Sequence, residues 1–237
     1  MTDLGLQKEY KLYIGGEWVP ASDGAQFTAK SPVTGEELAK CAKATKEDVD
    51  KAVAAAWEAF KTWKKTTPKE RAKILNQVAD VIEKNTEFLA KIESMDNGKP
   101  IRETMAVDIP MSVAHFRYFA GCILAEEGHA SVLDETYLSI ILREPIGVVG
   151  QIVPWNFPFL MAAWKIAPVL AAGDCTVFKP SSATSLSVLE LARLTQDIIP
   201  KGVFNVITGS GSGAGQFMLD HKGKFIIYLL FNLFRIP

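Results

Sequence analysis

Cysteine is scarce in this chain. The 237 residues hold three, Cys41, Cys122 and Cys175, far apart and in no Cys-x-x-Cys spacing. That pattern argues against a disulfide framework and against a zinc site, leaves no metal ligands to assign, and fits a reducing compartment. Histidine is equally rare: His115, His129 and His221 are isolated, with no evident serine or cysteine partner, and none is assigned a catalytic role. Charge excess is missing too. The net charge is −1, so nothing in the balance points to nucleic acid or acidic lipid. The lysines of residues 61–73 are interleaved with acids such as Glu70 and read as solvated helix faces. No apolar run approaches the roughly 20 residues of a membrane-spanning helix. The amino-terminal stretch carries Asp3, Glu9 and Glu17 and no apolar core, and it is neither Arg-rich nor acid-poor. The expectation is a cytoplasmic protein without secretory or transit signals.

What is present has clear punctuation. Residues 11–40 read as short strands broken at Gly15-Gly16, Asp23-Gly24 and Thr34-Gly35. A helix is predicted to start at Thr45, whose hydroxyl can cap the amide near Asp48, with Val49, Val53, Trp57, Phe60 and Trp63 at helical spacing. Thr67-Pro68-Lys69-Glu70 is a capping box with proline at the first helical position. A third helix covers about 86–95 and stops at Asn97-Gly98, and a longer one follows Pro100, bends at Pro110 and runs to about 125. Beyond 126 the β-formers of 137–143, turned around Asp134-Glu135, predict an exposed hairpin that serves as an assembly arm. From Gly147 the pattern is βαβαβ: strands at 148–153, 175–179 and 203–207, helices at 159–171 and 185–197. Short apolar strands alternating with helices imply an α/β fold with a parallel sheet covered on both faces. The chain divides into an N-terminal region at 1–125, the hairpin at 126–144, the βαβαβ unit at 145–221 and an apolar tail at 222–237.

In such a sheet ligands sit outside the carboxyl ends of the strands. Asn156, Lys179 and Gly209 each lie just past one of those ends. Asn156, on a loop stiffened by Pro154 and Pro158, can stabilise an oxyanion with its amide or can tie down its own backbone. Lys179 can bond ribose or phosphate, or can be a solvated strand-end lysine. The run Gly209-Ser210-Gly211-Ser212-Gly213-Ala214-Gly215 either brings backbone close to a ligand or is simply a turn. The first strand is not followed by G-x-G-x-x-G, so a nucleotide here is held in another way. Cys175 opens a strand beside an apolar run and reads as packing.

Taken in order, Tyr13-Ile14-Gly15-Gly16-Glu17-Trp18, Asn97-Gly98-Lys99-Pro100, Arg143-Glu144-Pro145-Ile146-Gly147-Val148, Pro154-Trp155-Asn156-Phe157-Pro158, Ala171-Ala172-Gly173 and Phe178-Lys179-Pro180-Ser181 resemble the NAD(P)-dependent aldehyde dehydrogenase superfamily, from about Leu12 to about His221. The resemblance implies an incomplete Rossmann-type sheet with an N-terminal helical region and an oligomerisation hairpin. It implies NAD or NADP as cofactor, an aldehyde as substrate, and association with a second copy or with full-length subunits through 127–143. Asn156 looks like the family's oxyanion-stabilising amide, and Ile152, Val153, Pro154 and Trp155 like the wall beside nicotinamide and ribose. Lys179 looks like the lysine that bonds the adenosine ribose, and Gly209 and Ala214 like the turn and helix covering adenine. Ser182 stands where the family often has a glutamate that repels a 2′-phosphate, which predicts relaxed NAD/NADP preference.

Two departures bear on activity. The family's nucleophilic cysteine and its water-activating glutamate belong to a downstream region, and none of Cys41, Cys122 or Cys175 matches the nucleophile's motif. The expectation is a chain without dehydrogenase turnover of its own, with an open sheet edge and poor solubility; the alternatives are a non-catalytic short form that joins full-length subunits and a bare nucleotide-binding module. Residues 222–237 also leave the family pattern. Gly223-Lys224-Phe225 can be encoded by GGTAAGTTT, a splice-donor sequence, so a retained intron or misread gene boundary is the first reading. A frameshift is the second, and a genuine strand or membrane-seeking tail the third.

Overall fold

The computed structural model of the chain describes residues 5–223 and the backbone of 226–229. Residues 224, 225 and 230–237, which hold most of the apolar tail, lie outside the described residues. The N-terminal strands are β1 (Glu9–Tyr10), β2 (Leu12–Ile14), β3 (Glu17–Val19), β4 (Gln26–Lys30) and β5 (Glu37–Ala42). Helices α1 (Lys46–Trp63), α2 (Pro68–Lys84) and α3 (Thr86–Asn97) follow, then the single turn α4 (Ile101–Glu103), a π-turn at Thr104–Asp108 and α5 (Ile109–Leu124). The hairpin strands are β6 (His129–Val132) and β7 (Leu138–Ile141). The alternating unit is β8 (Val148–Ile152), α6 (Pro158–Ala172), β9 (Cys175–Lys179), α7 (Leu186–Thr195) and β10 (Phe204–Val206). A π-turn at Gly211–Gly215 leads into α8 (Gln216–Leu219), and β11 covers Ile226–Leu229.

Both predicted caps form. The Thr45 side chain accepts from the Asp48 N–H and the Asp48 carboxylate returns the bond, and Thr67 and Glu70 do the same beside Pro68. Helix α3 ends at Gly98 with φ of 85°. A Cβ there would stand 2.9 Å from Cγ of Pro32, so the left-handed stop also lets the chain pass close to the β4 loop. The irregularity expected at Pro110 sits one turn earlier. The Ile109 N–H reaches back to the Thr104 carbonyl, and this wide turn accommodates a proline that has no N–H and crowds the turn before it.

The large sheet has the order β11-β8-β9-β10-β2-β3. Strands β11, β8, β9 and β10 are parallel, as the βαβαβ pattern requires. The sheet as a whole is mixed, because β2 runs antiparallel along β10 and carries β3 with it. Residues 12–14, read from sequence only as part of an N-terminal strand group, are fully buried for this reason. Asn205 fastens the join: its carbonyl oxygen accepts the Gly15 N–H at 2.8 Å while its amide donates to the carbonyls of Thr176 and Gly202. At the other side β11 pairs with β8 from Ile226↔Val149 to Leu229↔Ile152 and is itself the outermost strand, so the parallel side of the sheet ends in an open edge as expected.

Phe159 of α6, Phe178 of β9 and Phe204 of β10 are buried in the centre, and each such side chain contributes about 1.5–3 kcal/mol on leaving water. The β6–β7 hairpin stands apart as its own two-stranded sheet. Its turn is organised by Asp134, whose carboxylate accepts the N–H groups of Thr136 and Tyr137, and its Val132, Leu138, Ile140 and Ile141 side chains are exposed. Among the described residues no helix is long and apolar enough to cross a membrane.

Candidate functional site

Strands β8 and β9 end side by side, Ile152 opposite Lys179, and the Val153 N–H continues the ladder to the Lys179 carbonyl at 3.2 Å. Beyond them the two chains part into loops, and the predicted site residues lie there. Ile152 and Val153 are the last residues held by the sheet. Pro154 is half-buried, and Trp155 and Asn156 are exposed. The Asn156 side chain takes no hydrogen bond among the described residues, so it does not tie down its own backbone, and its donor pair is open.

Lys179 departs from the solvated strand-end reading. It is 2% exposed, and its Nζ donates to the carbonyls of Pro180 at 2.9 Å and Gly209 at 3.1 Å. No carboxylate among the described residues pairs with it, and burial lowers its pKa to about 8. The glycine run wraps this side chain. Gly209 has φ of 143°, and a Cβ on it would lie 3.0 Å from Cβ of the buried Ala214. The Ser210 hydroxyl accepts the Gly213 N–H at 3.0 Å and starts the π-turn. Lys179, Gly209 and Ala214 are thus brought together at the ends of β9 and β10.

Ser182, half-buried on the loop after β9, meets Trp155 across a cleft of about 390 Å³ that is also lined by Pro32, Asp96, Asn97 and Thr184. Sequence reading missed the role of α3 here. Asn97 Nδ2 donates to the Trp155 carbonyl at 2.6 Å, and Lys99 Nζ lies 3.4 Å from the Phe157 ring centroid while pairing with Asp108 at 2.7 Å. Two buried acids sit on the same helix. Glu93 accepts the Phe159 N–H at the start of α6 at 3.0 Å, and Asp96 accepts the Leu186 N–H at the start of α7 at 2.8 Å. Burial raises both to about 7; the amide bonds oppose this, while the charge of Asp108 adds to it at Glu93 and that of Glu93 adds to it at Asp96. The available signal was an acid pair three residues apart on the apolar face formed by Leu89, Ala90 and Ile92.

The cysteines do not enter the site. Cys41 and Cys175 are buried, and desolvation pushes both thiols up to about 12, well away from a reactive thiolate. Cys122 lies on α5, beside Tyr118.

A sequence model of the aldehyde dehydrogenase family matches residues 18–229, nearly the whole chain. The chain belongs to the aldehyde dehydrogenase family. An aldehyde dehydrogenase of Rhodospirillum rubrum is 51% identical over 219 residues, covering 92% of this chain and 43% of the relative. Acetaldehyde dehydrogenase 2 of Cupriavidus necator is 50% identical over 220 residues, covering 91% of this chain and 44% of the relative. Among solved structures, PnpE of Pseudomonas sp. WBC-3 in complex with nicotinamide adenine dinucleotide superposes with a TM-score of 0.89 at 43% identity, covering 92% of this chain and 45% of that one. The NAD+ complex of aldehyde dehydrogenase from Bacillus cereus gives 0.89 at 41% identity, covering 91% and 45%. The chain spans less than half the length of these relatives. The aldehyde dehydrogenase match also runs past His221, where the sequence reading ended it, into the β11 strand.

Proposed function

We propose that these residues form the dinucleotide-binding part of an enzyme that oxidises an aldehyde to a carboxylic acid with NAD(P)+. The observation that carries this is Lys179, a buried, carboxylate-free ammonium held under the glycine turn at the carboxyl ends of the parallel strands. A desolvated lysine without a counter-ion is costly unless something polar uses it, and a ribose with its phosphates suits that need. The fit extends to the surroundings. The glycine turn lets backbone approach a ligand, Trp155 and Ser182 face one cleft, and Ile152, Val153 and Pro154 lead into it from β8. The bound nicotinamide supplies the hydride acceptor. Lys179 bonds the adenosine ribose, Gly209 and Ala214 support adenine, and Ser182 leaves room for NADP beside NAD. Asn156 points a neutral donor pair at the oxygen of an aldehyde under attack. Cys41 and Cys175 are sealed and Cys122 does not line the cleft, so neither the attacking thiolate nor the carboxylate that activates water is assigned to a residue of this chain.

The exposed apolar hairpin supports pairing with a second copy or a full-length subunit through 127–143. Scattered free thiols support a cytoplasmic setting. Calorimetric titration of the purified chain with NAD+ and NADP+ tests the proposal. The expected result is saturable binding of both, weakened roughly tenfold by Lys179→Met, the loss of about one charge-assisted hydrogen bond, with no NADH formed from an aldehyde. Unchanged binding by the Lys179→Met chain, or turnover by the chain alone, refutes it.

A further inference from the structure

The C-terminal end of α3 and Lys99, just past its Gly98 cap, touch the Asn156 loop at three alternate residues. Asn97 holds the Trp155 carbonyl, the Lys99 ammonium covers the Phe157 ring, and the Glu93 carboxylate takes the Phe159 N–H. These residues bracket Asn156, whose own side chain is exposed and unbonded among the described residues. The direction of the Asn156 amide is therefore inherited from its backbone, and that backbone is set by α3. The same helix end reaches the neighbouring loop as well: Asp96 takes the Leu186 N–H just beyond Ser182. One rigid element thus fixes both loops that border the cleft between Trp155 and Ser182.

We infer that Asn97, Lys99 and Glu93 are positioning residues that clasp the 155–159 loop and aim the Asn156 amide and the Trp155 wall at the reacting end of the ligand. A transition-state donor has to be held to within about 0.5 Å of its working position, which an unbonded side chain on a free loop does not achieve. The clasp uses three different interactions, so each can be removed separately. Its bearing on catalysis rests on the proposed function; its bearing on loop geometry does not.

The test uses the full chain, labelled with 15N, with two readouts. Amide order parameters report the loop directly. For wild type, Trp155, Asn156 and Phe157 are expected near about 0.85, and in Asn97→Ala and Lys99→Met they drop toward about 0.6, while Val177 in β9 stays rigid. Glu93→Gln keeps the acceptor and Lys99→Arg keeps the cation over the ring, so both are expected to behave as wild type. The second readout compares NAD+ with ADP. Asn97→Ala is expected to weaken NAD+ roughly fivefold, the worth of one hydrogen bond, and to leave ADP unchanged, because ADP lacks the nicotinamide half. A purely structural role would weaken both together or neither. A loop that stays rigid in both Asn97→Ala and Lys99→Met overturns the inference, as does equal weakening of NAD+ and ADP. If wild type binds neither nucleotide, the proposed function fails and the order parameters alone decide the clasp.

Discussion

Replacing Glu93 by glutamine isolates the energetic consequence of placing an acid under the Asn156 loop. Glutamine keeps an oxygen for the Phe159 N–H and removes the buried charge. The Glu93 carboxyl is raised from 4.5 to about 7, chiefly by burial. Its sign follows from linkage. Between the unfolded and folded values the native state holds a proton that the unfolded state has lost, so stability is fully present below 4.5 and is lost as pH rises through about 7. A difference of about 2.5 units at about 1.4 kcal/mol each sets a ceiling of roughly 3 kcal/mol, of which about 2 kcal/mol falls between pH 5 and pH 8. Urea unfolding followed by circular dichroism at steps across that range provides the measurement. The wild type is expected to lose stability toward pH 8, and Glu93→Gln to lose about 2 kcal/mol less. Asp96 titrates in the same window and remains in the variant, so the variant's slope should shrink without vanishing. Parallel pH profiles for the two proteins would refute the assignment of a buried, high-pKa carboxyl at Glu93.

Nucleotide binding should weaken as pH rises through about 8, where Lys179 loses its proton, and Lys179→Met should show a flat profile; calorimetry across pH 7–9.5 reads both. Ser182→Glu restores a carboxylate beside the cleft and should lower NADP+ affinity by roughly tenfold relative to NAD+, a like-charge cost of about 1.4 kcal/mol; an unchanged NADP+/NAD+ ratio contradicts the placement of the 2′-position near Ser182. Gly209→Ala forces a methyl to 3.0 Å from Ala214 at φ of 143° and should cost about 1–3 kcal/mol in urea unfolding, with a matching loss of nucleotide binding. Ile140→Lys in the hairpin should shift assembly toward monomer by light scattering without altering the far-ultraviolet spectrum, because Ile140 is exposed and unpacked within the chain.

Local chemistry made much of this molecule legible before folding. Thr45 with Asp48, Thr67 with Glu70, and Gly98 after Asn97 start and stop helices through bonds that span three or four residues, so their signals survive in the sequence. The βαβαβ order and the location of Asn156, Lys179 and Gly209 beyond three strand ends came from hydrophobic pattern and topology alone. Glu93, Asn97 and Lys99 did not declare a shared target, because a carboxylate and an amide on α3 and an ammonium just past its end acquire it only when α3 is laid against a loop some sixty residues away in the chain. Lys179 shows the same limit: its type and place were readable, its burial was not, since the carbonyl of Gly209 and the turn above it arrive from another strand. The mixed character of the sheet and the pairing of β11 likewise depended on which edge each short strand found. The sequence by itself determined the elements, their caps and the family; the tertiary structure decided which polar groups lost water and which loops were held, because desolvation and long-range contact are properties of the packed chain and not of any local stretch.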